Sequence, residues 1–239
     1  MSRVEKRFIT GLEQMQTNIW QVYFDENSKK NCSPEWNHYD NSKKLTEHFE
    51  NSVIVDLIEC KEHEKADYFG VFSHDILKDL PFRENGLPFT PQNLEKVIGE
   101  NLDIDVFAFQ KRRQNKNIVK QAEHYHPGFL KMVKNILIKT GFLSDVPERI
   151  DKIILFNYFV AKGAVYERYV NELLRPAMKI LEGMPEAYLN AGYKKLNTAT
   201  IGRFTEAFGK PHYPYHPFIL ERLPSLFMQK YNYNFKHIF

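Results

Sequence analysis

Five places in this chain set polar or ionisable side chains against apolar neighbours. Ser73, His74 and Asp75 follow the run Tyr-Phe-Gly-Val-Phe, Asp103 and Asp105 open "DIDVFAF", and Asn157 sits inside "KIILFNYFVAKG". His212 and His216 bracket "HYPYH", and Glu221 and Arg222 interrupt "PFILERLPSLFM". An imidazole beside a carboxylate offers nitrogen and oxygen ligands that suit Mn²⁺. The Asp-x-Asp at Asp103 and Asp105 offers oxygens too, but it precedes its apolar run, where a metal-binding pair is expected to follow one. It reads equally well as the turn that starts a strand. The prolines around His212 and His216 exclude a helical pair of zinc ligands, leaving His216 as a late single ligand or a packing residue. Asn157 carries both a donor and an acceptor; it satisfies backbone groups at a strand irregularity or holds a ligand. Glu221 and Arg222 are costly to bury unpaired, so each needs the other, a backbone group or a polar ligand.

The elements that must position these groups follow from periodicity. "NIWQVYFDEN" (Asn18 to Asn27) reads as a strand closed by an acidic cluster, followed by a polar loop, "SKKNCSPEWNHYDNS". "KLTEHFENSVIVDLIECKE" places Leu45, Phe49, Val53, Ile54, Leu57 and Ile58 on one helical face. Ala66 to Ile76 reads as a buried strand in which Gly70 admits a close neighbour. A Pro- and Gly-rich loop, a short helix at "PQNLEKVIGE" and a strand at "IDVFAFQ" follow. A helix from His126 to Ile138 carries Pro127 near its first turn and stops at Gly141. Ile153 to Val160 then reads as a strand and Ala164 to Leu181 as a helix that Pro176 kinks or interrupts. Strands and helices alternate, which predicts one α/β domain over residues 1–239 with a mostly parallel central sheet flanked by helices. In such sheets ligands bind at the carboxyl ends of strands, where Ser73, His74 and Asp75 fall.

Composition narrows the function classes. The chain has 239 residues, 43% of them hydrophobic, enough for one large core. A net charge of +3 does not suggest a nucleic-acid binder; the one basic run, "QKRRQNKN", reads as a solvated loop. Two cysteines give no disulfide framework and predict a reducing, cytoplasmic location. "MSRVEKRFITGLEQMQ" lacks the apolar core of a signal peptide, and no run is long enough to span a membrane. Work on envelope material would therefore take place at the cytoplasmic side, with at most peripheral membrane contact. No Gly-rich phosphate loop, G-x-S-x-G or Cys-x-x-Cys occurs.

Taken in order, "HFENSVIVDLI", "ADYFGVFSHDI", "DIDVFAFQ", "FNYFVAKGAVYERYV" and "FILERLPSLFM" resemble a family of bacterial glycosyltransferases of capsular and surface polysaccharides. The resemblance runs from about Trp20 to Met228 as short ordered motifs. Asn157 to Lys162 resembles the family's Asn-Met-Phe-Ile motif, and Glu221-Arg222-Leu223 its Glu-Arg-Leu. Tyr68 to Ser73 resembles its Gly-Leu-Cys-His strand, except that Ser73 stands where His is expected, His74 comes one place late and the following Arg pair is absent. The resemblance implies a GT-A-like fold, a nucleotide-sugar donor, a glycan or lipid-linked glycan acceptor, and Mn²⁺ or Mg²⁺. It implies Tyr23, Asp25, Tyr39 and Asp40 near base and ribose, and Ser73, His74 and Asp75 near diphosphate and metal, with Asp105 and His216 as further candidate ligands. Asn157, Glu221 and Arg222 would shape the acceptor side, and Asp75, Glu221 and Arg222 would serve catalysis. The alternative is a catalytically silent binding or scaffold protein on the same fold.

Overall fold

The computed structural model describes residues 15–79, 83–84, 87–109, 117–192 and 196–238. The N-terminal segment to residue 14, most of the basic run and part of the Pro- and Gly-rich loop lie outside the described residues.

A six-stranded sheet forms the centre, in the spatial order β2-β1-β3-β7-β6-β8. Its strands are β1 (Thr17–Tyr23), β2 (Asn37–Asp40), β3 (Tyr68–Ser73), β6 (Val106–Ala108), β7 (Phe159–Lys162) and β8 (Phe235–His237). A separate two-stranded ribbon pairs β4 (Arg83–Glu84) with β5 (Leu87–Pro88). β2, β1 and β3 pair in parallel, as do β6 and β8, while β7 pairs antiparallel with both β3 and β6. The sheet is thus mixed: five strands point one way and one runs against them. The strands expected around Val22, Phe69, Phe107 and Phe159 all belong to it. β2 lies in a stretch that reads as a polar loop, and β8 in the aromatic tail.

Side chains alternate across the pleat. Phe69, Val71, Val106, Phe159 and Ala161 join the larger core. It is built with α2 (Glu50–Glu59), α5 (Ile118–Tyr125), α6 (Phe129–Lys139), α7 (Gly163–Tyr169), α8 (Arg175–Glu182), α10 (His216–Leu220) and α11 (Leu223–Lys230). Tyr68, Phe72, Phe107 and Val160 face a smaller core with α3 (Ile76–Asp79) and α4 (Pro91–Gly99). α1 (Glu26–Lys29) and α9 (Thr198–Phe208) lie beyond strand ends. Gly70 fulfils its expectation: a Cβ there would come within 2.8 Å of Val160 and 3.1 Å of Ile19.

Three departures from the sequence reading have physical causes. First, Ile153 to Asn157 is not strand. Ser225 on α11 accepts from the Ile154 N–H at 2.6 Å and donates to its carbonyl at 2.8 Å, so a side chain satisfies the backbone that a ladder would have paired. Phe156 and Asn157 then both turn left-handed, at φ 58° and 57°. Second, α2 starts at Glu50 because Phe49, at φ 52°, breaks the helical run before it. Third, the helix after β7 runs from Gly163 to Glu182 but widens to a π turn at Val170–Leu174, just ahead of Pro176. A residue without an N–H cannot hold the normal ladder, and the wider turn absorbs that gap. The expected helix at His126 begins at Phe129, with His126 and Pro127 forming the corner from α5. Among the described residues no helix is long and apolar enough to cross a membrane.

Candidate functional site

Because β7 runs backwards, its amino end lies beside the carboxyl ends of β3 and β6. The left-handed pair Phe156-Asn157 therefore meets Ser73, His74 and Asp75 at one edge of the sheet. A cleft of about 470 Å³ opens there. Asn157, Ser73, His74, Asp75 and Glu221 all line it, together with Glu50, Asn51 and Arg203. Its aromatic wall includes Phe24, Phe49, Phe156, Tyr158, Tyr213 and Phe218. Three of the four non-glycine residues with positive φ among the described residues, Phe49, Phe156 and Asn157, line this one cleft. Backbone held in such conformations costs free energy and concentrates at sites of function.

The β3 side carries the His–Asp pair. The His74 N–H donates to the Val22 carbonyl at 3.0 Å, its ring meets Phe24 edge-on at 4.7 Å, and its Nε2 lies 3.3 Å from Asp75 Oδ2. Asp75 also accepts from Asn31 at 3.2 Å. Ser73 Oγ and the Tyr158 hydroxyl are 3.0 Å apart. Asp25 caps α1 and accepts from Arg203 at 3.0 Å, while the Arg203 guanidinium lies 4.3 Å over Phe24. The Ser28 N–H, reinforced by Arg203, holds the Asp25 carboxyl below its usual range.

The opposite wall is acidic. Glu221, at the end of α10, is bonded to Arg222, yet seclusion from water pushes its carboxyl up to about 7 against the pull of that guanidinium, and the Glu50 charge adds to the rise. Glu50, in the first turn of α2, is raised as well, by burial and by the charge of Asp75. A carboxylate with its pKa near neutrality can exchange a proton with a bound hydroxyl.

Other sequence candidates fall elsewhere. Asp105 sits at the opposite end of the sheet. It accepts from Lys162 at 2.8 Å and from the Asn234 N–H at 2.9 Å. Against burial, which would raise it, those partners hold it low. It does not share a cleft with His74. His216 is fully buried beside the rings of His48 at 5.2 Å and Tyr188 at 4.6 Å, and burial, with His48 beside it, pushes it down to about 4. Tyr39 donates to Asp56 at 2.7 Å and accepts from Lys44, Tyr23 turns to Asp40, and none of Tyr23, Tyr39 or Asp40 lines the cleft. Arg222 faces inward, donating to the Phe218 carbonyl at 2.7 Å. Among the described residues no group of three or more His, Cys, Asp or Glu side chains is placed to hold a metal ion, so the four candidate ligands do not fit one Mn²⁺ or Mg²⁺.

A second cavity of about 620 Å³ opens at the far end of the sheet, beside His63, Lys162, Gly163 and Glu167. It is larger, but it lies at the amino end of β3, away from the edge where open α/β sheets bind ligands, and it borders Met15, where the described chain begins.

Sequence reading missed Glu50, Asn51, Phe156 and Arg203. A signal existed for the first two: Glu50 and Asn51 interrupt the apolar face of "HFENSVIV". Arg203 stands in a helix with nothing to mark it. The chain matches no protein-family model, no curated protein and no solved structure.

Proposed function

We propose that this chain is a glycosyltransferase of GT-A-like type, moving a sugar from a nucleotide donor to a surface or capsular glycan acceptor. The observation that carries the reading is the meeting of Ser73-His74-Asp75, Asn157 and Glu221, from three distant parts of the chain, in one cleft at the carboxyl ends of a largely parallel sheet. Its mix of aromatic walls, carboxylates and amides suits a sugar ring better than a flat apolar ligand.

In this reading the donor diphosphate lies towards Arg203 and His74, and the acceptor towards Asn157 and Glu221. An acceptor hydroxyl gives its proton to the ionised Glu221 carboxylate, and its oxygen bonds to the anomeric carbon. The anomeric bond to the diphosphate breaks, and the diphosphate leaves with the electron pair. Arg203 is positioned to steady the charge that develops on it. No step is assigned to a divalent cation, since no chelating group of three stands among the described residues.

That same observation, with Ser73 in the place of the family's His, favours a second reading: a protein that binds a glycan or nucleotide sugar without turning it over. One experiment separates the two. UDP, GDP and their hexose conjugates are screened by thermal shift with and without Mn²⁺, and the release of nucleoside diphosphate is followed with glycan acceptors. Binding with release supports transfer, binding without release supports the silent reading, and no binding of any nucleotide probe removes transfer and leaves only the glycan-binding form of the silent reading.

A further inference from the structure

Asn157 belongs to a relay of amides whose last atom has no partner. The Asn51 amide nitrogen donates to the His48 carbonyl at 3.1 Å, and the Asn157 amide nitrogen donates to Asn51 Oδ1 at 3.2 Å. Asn157 Oδ1 is left buried without a hydrogen-bond partner, in a residue only 4% exposed that lines the cleft.

The relay fixes which way the amides point. Turning Asn157 alone would set its oxygen against Asn51 Oδ1, and turning both would set Asn51 Oδ1 against the His48 carbonyl. The atom offered to the cleft is therefore an acceptor. A buried acceptor left unpaired is unfavourable, and a ligand can satisfy this one only by donating. Phosphate and carboxylate have nothing to donate, so the diphosphate is not held at this point. Glu50 and Glu221 add further acceptors to the same cleft. Beside them Phe156, 53% exposed and held at φ 58°, offers an apolar face to the solvent side, with the Tyr158 ring 5.7 Å away.

We propose that Asn157 Oδ1 accepts a hydrogen bond from one ring hydroxyl of a sugar packed against Phe156, making this side of the cleft a selective site for a neutral polyhydroxylated ring. The inference rests on the carbohydrate reading above and adds the atom and the group that do the selecting.

The test is titration calorimetry with UDP, GDP, UDP-glucose, UDP-galactose, GDP-mannose, maltose and cellobiose, on the wild type and Asn157→Gly. Glycine adopts φ 57° freely, so the variant removes the amide without adding backbone strain. The expected result is that a sugar-bearing probe binds the wild type and binds Asn157→Gly about tenfold more weakly, while any bare nucleotide binds both alike. A second comparison uses deoxy forms of whichever probe binds, free disaccharide or nucleotide conjugate, each lacking one ring hydroxyl. For one ring position, the deoxy form should bind wild type and variant equally, because the lost partner is the one Asn157 served. The proposal falls if no sugar-bearing probe binds, if Asn157→Gly keeps wild-type affinity, or if every deoxy form binds the wild type as well as its parent. The last comparison decides the matter even if the variant folds poorly. If free disaccharides bind through Asn157 while no nucleotide conjugate does, the hydroxyl site stands and the nucleotide-sugar reading is the one that fails.

Discussion

Glu221 and Arg222 are consecutive in sequence and bonded to one another, yet they face different surroundings. The Glu221 carboxylate lines the cleft, while the Arg222 guanidinium turns inward to the Phe218 carbonyl and lies 5.3 Å over the Phe129 ring. Both side chains are largely buried, at 12% and 14% exposed. Arg222→Met should therefore leave a sheltered carboxylate without its partner, at a cost of about 3 kcal/mol near pH 8. The cost should shrink near pH 5, where Glu221 holds its proton. Chemical denaturation at the two pH values checks this, and equal losses would contradict the pairing.

Glu221 itself predicts a pH dependence. Its folded-state pKa, about 7, lies above the ordinary value of 4.5. Between those values the unfolded chain releases the proton while the folded protein keeps it, so this group's contribution to stability falls as pH rises from 4.5 towards 7. Glu221→Gln removes the titration. Its stability relative to wild type should climb across that window and level off above it, and a flat difference curve would argue that the carboxyl is not raised.

His216 works in the other sense. Its folded-state pKa lies near 4, below the ordinary 6.5. The unfolded chain takes up a proton that the folded protein refuses, so stability is lost as pH falls from 6.5 towards 4. His216→Asn should be less stable than wild type at neutral pH but should lose less on acidification. Thermal unfolding at several pH values on both proteins would show the two curves converging.

Phe156 should trade stability for binding. A bulky left-handed residue costs about 1–2 kcal/mol, and glycine in its place loses part of that gain to chain entropy. Phe156→Gly is expected to stabilise the fold by about 0.5–1 kcal/mol while weakening any sugar-bearing ligand of the cleft. Loss of stability instead would mean that the ring is holding the turn together.

Gly163 separates packing from propensity. A Cβ there would stand 2.4 Å from the His63 carbonyl oxygen, whereas at Gly202, inside α9, it would meet nothing within 4 Å. Gly163→Ala should cost about 3 kcal/mol by overpacking against backbone, and Gly202→Ala should gain about 0.5–1 kcal/mol from helix propensity. Unfolding midpoints of the two variants should move in opposite directions.

Much of this arrangement was legible in the sequence, for identifiable reasons. Phe69 and Phe107 lie in short apolar runs bounded by charged and turn residues, which read as buried strands, and Leu57 and Ile58 fall on a helical period. β2 escaped because an edge strand reading Asn-His-Tyr-Asp buries little and has no apolar alternation. The tail concealed β8 because Phe235 to His237 is only half-buried. At the site, Ser73, His74, Asp75, Asn157 and Glu221 were each conspicuous as polar residues in apolar company. Their meeting was not, because nothing local says that β7 runs backwards. Asp105 looked like a ligand by type alone, since a structural ion pair with Lys162 leaves the same mark in a sequence as a metal site. Asn157 looked like a strand irregularity because Ser225, some seventy residues on, supplies the hydrogen bonds that keep its approach out of the ladder.

The reversed strand also sets an order of events during synthesis. β3 and β6 are made early but do not pair with each other; each waits for β7, which is translated some fifty residues after β6 and joins both. Until then the growing chain carries the part-sheet β2-β1-β3 with an open edge and β6 as a strand with no ladder partner, since β8 comes later still. Such edges pair readily with other chains, and closing long-range pairings late slows folding. A ribosome stalled before Phe159 would therefore hold a chain with its central seam open, so aggregation risk during expression concentrates in that interval and not in the finished protein.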